Sequence, residues 1–270
     1  MPRRPKLGQH FLRDSRIAQK IADLTPVEPE ELLIEIGPGQ GRMTRLLASR
    51  CRKLIAVELD PALAGRMQEE FRENPRIEIL RRDVLNTSLA TLAGNGGAAQ
   101  VYVFGNLPYY ITSPILHLLF GERQRIRRMT LLVQQEVAER ITARPGSRDY
   151  GYLTVFVQSY SQPRIVLEVP SGAFSPPPKV RSALVDFVMA RGLPAWSEQT
   201  DRRFQEFVRL CFREKRKNLL NNLAQAYPRM RAQEIIENLG WDQRIRAEQL
   251  SLEQFVALFE RLPKADAGRG

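Results

Sequence analysis

Leu32-Leu33-Ile34-Glu35-Ile36-Gly37-Pro38-Gly39-Gln40-Gly41 is the stretch on which the fold turns. Its first five residues make a short apolar run of the kind found in a strand buried on both faces, and three glycines follow at alternate positions. The helical pattern of residues 43–50 comes next, so the glycines occupy a strand-to-helix turn. There they let the backbone approach a ligand closely and leave helix N–H groups facing it. The spacing is G-x-G-x-G, not the G-x-G-x-x-G of a dinucleotide turn, so a pyrophosphate cradle fits it poorly. Taken alone, a plain tight turn explains it equally well.

Outward from this turn the pattern repeats. Leu54-Ile55-Ala56-Val57 is a second strand, followed by a helix over 61–71 with Pro61 suited to its first turn. Strands at 77–80, 101–104 and 130–133 alternate with helical segments near 112–120 and 135–143, the signature of a parallel sheet with helices on both faces. Residues 164–169 and 182–189 read as two more strands flanking a Pro-rich loop, an antiparallel arm closing the sheet edge. Gly192-Leu193-Pro194 punctuates a linker, and 201–262 is helical with almost no strand signal. The expected fold class is α/β: a Rossmann-like domain over residues 1–190 and a small all-helical domain over 191–270, with a frayed tail at 263–270.

Two hundred and seventy residues, 43% of them apolar, supply a core for this arrangement. The net charge of +11 sits in clusters: +5 over residues 1–20, +4 over 122–148, and Arg213-Glu214-Lys215-Arg216-Lys217. Three such clusters point to nucleic acid more than to a merely solvated face. No apolar stretch follows the basic N-terminus and no run of about 18 apolar residues occurs, so the chain reads as cytoplasmic, without signal peptide or membrane span. Cys51 and Cys211, 160 positions apart, make neither a disulfide framework nor a zinc cluster, and no metal site is expected from His10 and His117 alone.

The strand ends carry the chemistry. Glu58, in Val57-Glu58-Leu59-Asp60, lies 17 residues past Gly41 and can accept both ribose hydroxyls of a nucleoside. Asp83 ends the third strand and can accept a hydrogen bond from an adenine amine. Glycine, acid and acid at successive strand ends describe a nucleoside pocket. With no Walker-type lysine, S-adenosylmethionine is a candidate. Asn106-Leu107-Pro108-Tyr109 then ends the fourth strand. An adenine N6 amine is a poor nucleophile because its lone pair is delocalised into the ring. The Asn106 oxygen and the neighbouring Leu107 and Pro108 carbonyls can accept its N–H groups and free that lone pair, which requires positioning and no strong base. Pro108 stiffens the loop, and Tyr109 offers a stacking ring worth about 1–3 kcal/mol. A proline turn with core tyrosines is the structural alternative.

With Gly8-Gln9-His10-Phe11-Leu12, the EIGPGQG loop, VELD, NLPYY, residues 133–140 (VQQEVAER), 174–180 (FSPPPKV) and 212–223 (FREKRKNLLNNL), the chain resembles the KsgA (RsmA) family of small-subunit rRNA adenine dimethyltransferases. The resemblance implies transfer of four methyl groups to N6 of two adjacent adenines in the 3′-terminal hairpin loop of 16S rRNA, in the 30S subunit or its precursor. It implies that His10, Leu12, Gly37, Glu58, Asp83 and Asn106 line the S-adenosylmethionine site. Phe174 matches the family's second aromatic, so Tyr109 and Phe174 would sandwich an extruded base; the alternative for Phe174 is a core aromatic at the sheet edge. A monomer suits docking on a subunit. Two positions depart from most relatives: His10 stands where they carry Asn, and Tyr110 where Asn often follows the tyrosine, with packing inward favoured for Tyr110. An Erm-like enzyme acting on 23S rRNA is disfavoured by Leu107 in place of Ile and by FREKRKNLLNNL. A non-catalytic binding protein is disfavoured by the intact Gly37, Glu58, Asp83 and Asn106. An N6-adenine DNA methyltransferase would usually carry Pro at the second motif position.

Overall fold

The computed structural model describes residues 9–190 and 192–263; Arg3, Arg4 and Lys6 of the basic arm, Gly8, and the expected tail from residue 264 lie outside them. The chain forms two compact units, one of residues up to 138 with 162–189, the other of 139–161 with the residues from 190 onward. Segment 139–161 therefore groups with the chain beyond 189, although it precedes the last strands in sequence.

The first unit begins with β1 (Phe11–Leu12), α1 (Ser15–Asp23), β2 (Leu32–Ile36), α2 (Arg42–Leu47), β3 (Lys53–Glu58), α3 (Pro61–Glu70) and β4 (Ile77–Arg81). It continues through α4 (Leu89–Asn95), β5 (Val101–Asn106), α5 (Thr112–Gly121) and β6 (Ile126–Gln134). After α6 (Gln135–Ile141) and α7 (Tyr152–Gln158) come β7 (Ser161–Val169), β8 (Phe174–Ser175) and β9 (Ser182–Met189). Seven strands form one sheet in the order β4-β3-β2-β5-β6-β9-β7. The pairs from β4 to β6 are all parallel, with Ile34 opposite both Ile55 and Val103. Continuous apolar runs in β2, β3 and β5 suit strands covered on both faces, and nearly every residue in them is buried.

The expected edge-closing arm is present. β9 runs antiparallel to β6 and separates it from β7. It is pinned by Arg128, whose Nε and Nη2 donate to the two Asp186 carboxylate oxygens at 2.8 and 2.7 Å. Asp60 caps α3, its Oδ1 accepting from the N–H groups of Ala62 and Leu63. α2 ends at Leu47, not residue 50, and β7 starts at Ser161, not residue 164.

β1 and β8 pair as a two-stranded antiparallel ribbon, Leu12 opposite Phe174. This placement corrects the expectation for Phe174. At 4% exposure its ring belongs to the hydrophobic core with Leu12, Ala173 and Val169, as the alternative reading held.

The second unit is helical, with α7, α8 (Glu198–Cys211), α9 (Leu219–Leu223), α10 (Arg229–Asn238) and α11 (Leu252–Arg261). Ser197 caps α8, and Ser251 with Gln254 forms a reciprocal cap on α11. Trp196, Phe204, Phe207 and Phe259 cluster with neighbouring ring centroids 5.3–6.2 Å apart, which gives this unit its own core.

Because Phe174 fills core volume, Phe174→Ala is expected to lower the unfolding free energy by about 3–5 kcal/mol in denaturant titrations. Phe174→Leu should recover most of it; an Ala variant within about 1 kcal/mol of wild type would contradict the core placement.

Candidate active site

Parallel strands leave their carboxyl ends along one edge, where β4, β3, β2 and β5 deliver Asp83, Glu58, the glycine turn and Asn106 side by side. Gly37, Gly39 and Gly41 all have positive φ, at 65°, 58° and 73°, so the turn takes a path that side chains disfavour. At Gly39 a Cβ would also come within 2.9 Å of the Phe11 ring.

Glu58 holds this turn in place. Its Oε2 accepts from Gly39 N–H at 3.0 Å and its Oε1 from Asp60 N–H at 2.8 Å. Burial pushes the Glu58 carboxyl above the usual carboxylate range, opposed by these backbone donors. One strand inward, Glu35 is fully buried and accepts from Thr44 Oγ1 at 2.6 Å. Desolvation raises it to about 7, against the Thr44 bond, with the Glu58 charge adding to the rise. Asp83 accepts from Leu85 N–H through Oδ1 and from Asn86 Nδ2 through Oδ2.

Asn106 Nδ2 donates to the His10 carbonyl at 3.3 Å. With the nitrogen used there, the amide oxygen has no hydrogen-bond partner among the described residues and is left as an acceptor for the site. The His10 ring is held at Nδ1 by the Pro176 carbonyl, 2.8 Å away, and lies on Tyr109 with centroids 5.6 Å apart and planes inclined by 28°. Tyr109 is steadied by a hydroxyl contact of 2.8 Å to Ser182 Oγ, and burial raises its phenol above the ordinary value. The Pro108 carbonyl already accepts from Ile111 N–H and Thr112 Oγ1.

One cavity of the first unit is lined by His10, Leu12, Gly37, Glu58, Asp83, Asn106, Leu107, Pro108 and Tyr109, so nine of the ten sequence-derived positions converge. Phe174 does not line it, and the ring that stacks on Tyr109 is that of His10. Tyr110 is a second correction: 59% exposed at the cavity rim, it does not pack inward. Glu35 and Arg42 also line the cavity and were missed. An acid inside an otherwise apolar strand was the available signal for Glu35, since such a residue is buried at a cost and recurs at functional sites. Among the described residues no group of three or more His, Cys, Asp or Glu is arranged for a metal, and no helix is long and apolar enough to cross a membrane.

The profile of the family described as ribosomal RNA adenine dimethylase matches residues 2–264. The chain belongs to this family. It is 41% identical to a "Ribosomal RNA small subunit methyltransferase A" from Acidobacterium capsulatum, over 96% of this chain and 91% of the relative. The protein of the same name from Geobacter metallireducens is 38% identical, over 94% of each. Among solved structures, the 23S rRNA methyltransferase ErmE superposes with a TM-score of 0.72 at 30% identity, covering 93% of this chain and 99% of its own. A dimethyladenosine transferase from Plasmodium falciparum gives a TM-score of 0.76 at 24% identity, covering 92% and 96%, and supports the fold.

S-adenosylmethionine is the methyl donor of such enzymes, and the residues present fit it. The glycine turn admits close backbone approach, Glu58 and Asp83 are hydrogen-bond acceptors at neighbouring strand ends, and the buried carboxylates suit a ligand bearing a sulfonium and an ammonium charge.

Glu35 also sets a pH dependence of stability. Its carboxyl titrates near 4.5 unfolded and about 7 folded, so its favourable contribution is complete below about 4.5 and is lost as pH rises through 7. Between pH 5 and 8 the wild type is expected to lose roughly 2–3 kcal/mol more unfolding free energy than Glu35→Gln in denaturant titrations. Parallel pH responses of the two proteins would refute this.

Proposed function

We propose that this chain transfers methyl groups from S-adenosylmethionine to N6 of two adjacent adenines in the 3′-terminal hairpin loop of 16S rRNA. The substrate is the 30S subunit or its precursor, met in the cytoplasm by a monomer with a catalytic domain drawn from 1–190, less the segment 139–161 that groups with a helical domain over 191–270. The observation that carries the chemistry is the Asn106 amide, oriented through its nitrogen by the His10 carbonyl.

When bound, S-adenosylmethionine supplies a methyl group on an electrophilic sulfonium. Glu58 accepts from the ribose and Asp83 from the adenine amine of that donor, which places its nucleoside across β3 and β4. The Asn106 oxygen accepts one N–H of the target amine. With the Pro108 carbonyl already shared, the second acceptor is the Leu107 carbonyl. Holding both protons draws the N6 lone pair out of conjugation and fixes its direction, a contribution of position and dipole; no base is needed beforehand, and the proton made acidic when the N–CH3 bond forms and the S–CH3 bond breaks passes to solvent afterwards. The target base stacks on the Tyr109 face opposite His10, with the exposed Tyr110 ring beside the entrance.

The basic clusters serve the rRNA backbone. In the second unit, Lys215 Nζ reaches the Arg148 carbonyl at 3.4 Å, so the 144–148 and 213–217 groups abut and present exposed cations together. Arg127 and Arg128 are already paired with Glu31 and Asp186, which removes them from that role. The preference for the small subunit over a 23S target is supported by higher identity to the small-subunit enzymes than to ErmE.

Asn106→Ala is expected to lower methyl transfer to unmethylated 30S particles by at least about 100-fold, a typical loss for a group acting on the transition state. Its thermal unfolding should stay within a few degrees of wild type. Labelled-methyl incorporation within tenfold of wild type would contradict the assigned role.

A further inference from the structure

Arg42 is the cavity's unclaimed cation. It follows Gly41 directly, its side chain is half-buried, and it lines both the main cavity and an adjoining hollow formed with Arg45 and Arg66. Among the described residues its guanidinium makes no hydrogen bond or ion pair. Arg45 beside it is occupied, with Glu70 at 2.7 and 2.5 Å and the Gln40 carbonyl at 2.9 Å. The Arg42 charge acts on Asp14, whose carboxylate is already engaged as the cap of α1. A half-buried guanidinium with five donors and no acceptor is an anion site in waiting.

We propose that Arg42 binds the α-carboxylate of S-adenosylmethionine. The inference rests on the nucleoside placement above and extends it along the sheet. With adenine at Asp83 on β4 and ribose at Glu58 on β3, strands about 4.8 Å apart bring the amino-acid arm over the β2 turn, where Arg42 stands. The other cavity cation, Arg82, sits beside Asp83 at the adenine end and faces the wrong part of the molecule. The donor carries two positive charges and one negative. Glu35, Glu58 and Asp83 offer acceptors for its positive and polar groups, and Arg42 alone meets the carboxylate, with a planar fork matched to its two oxygens.

Calorimetric titration with S-adenosylhomocysteine and with 5′-methylthioadenosine, which has the same nucleoside but no amino-acid carboxylate, tests this without catalysis. Arg42→Ala should weaken S-adenosylhomocysteine binding at least about tenfold, the usual size for a lost charge-assisted hydrogen bond. It should leave 5′-methylthioadenosine within about twofold. Equal losses for both ligands, or no loss for either, would overturn the assignment. So would an unchanged ligand ratio with weakened 30S binding, which would give Arg42 to an RNA phosphate. Glu58→Gln is the control for the underlying placement: it should weaken both ligands alike. If both affinities survive that change, the nucleoside placement itself fails, and Arg42 loses its basis with it.

Discussion

Two carboxylates kept away from water organise the active edge of this protein. Glu58 at the end of β3 and Glu35 inside the neighbouring β2 are only 3% and 2% exposed, and an ion so placed is tolerated only where donors face it. Glu58 finds them in the backbone of the glycine turn and of the α3 entrance, so the charge that a ligand would use is also what shapes the loop around that ligand. Glu35 finds a single hydroxyl, and burial pushes its carboxyl up to about 7. A cation entering this cavity favours ionisation of both groups.

From that constraint the layout of the site follows almost linearly. Parallel pairing fixes which strand ends are neighbours, and the order β4, β3, β2, β5 turns residues far apart in sequence into adjacent acceptors and one oriented amide. The β1–β8 ribbon then brings His10 to the end of β5, where its carbonyl settles the direction of the Asn106 amide and its ring covers one face of Tyr109. Catalysis by position needs such a frame, because neither Asn106 nor a backbone carbonyl is reactive in itself.

What the sequence discloses is what depends on short range. Apolar runs of four or five residues bounded by glycine or an acid reveal β2, β3 and β5, and Glu58, Asp83 and Asn106 announce themselves by standing at strand ends. Contacts across long separations are hidden. β1 is two residues long and becomes a strand only because β8, more than 160 positions away, pairs with it; no local pattern marks either. The same pairing buries Phe174, which looks like a free aromatic in a proline-rich loop until Leu12 lies opposite it. Tyr110 fails in the other direction, because an apolar ring reads as core material while the 3₁₀ turn after Pro108 leaves it outside. Arg42 is invisible as a site because a cation after a glycine turn is ordinary; its isolation is a property of the fold alone.

The claim at the centre is that this edge presents an unpaired small-subunit rRNA adenine to a methyl donor. Methylation with labelled S-adenosylmethionine of unmethylated 30S particles, 50S particles and duplex DNA side by side, followed by mapping of the modified nucleotides, tests it most directly. Label confined to the 30S particles as N6,N6-dimethyladenosine at two adjacent positions near the 3′ end of 16S rRNA is the predicted result. Label on the 50S particles or on DNA, or at a base atom other than adenine N6, would contradict it.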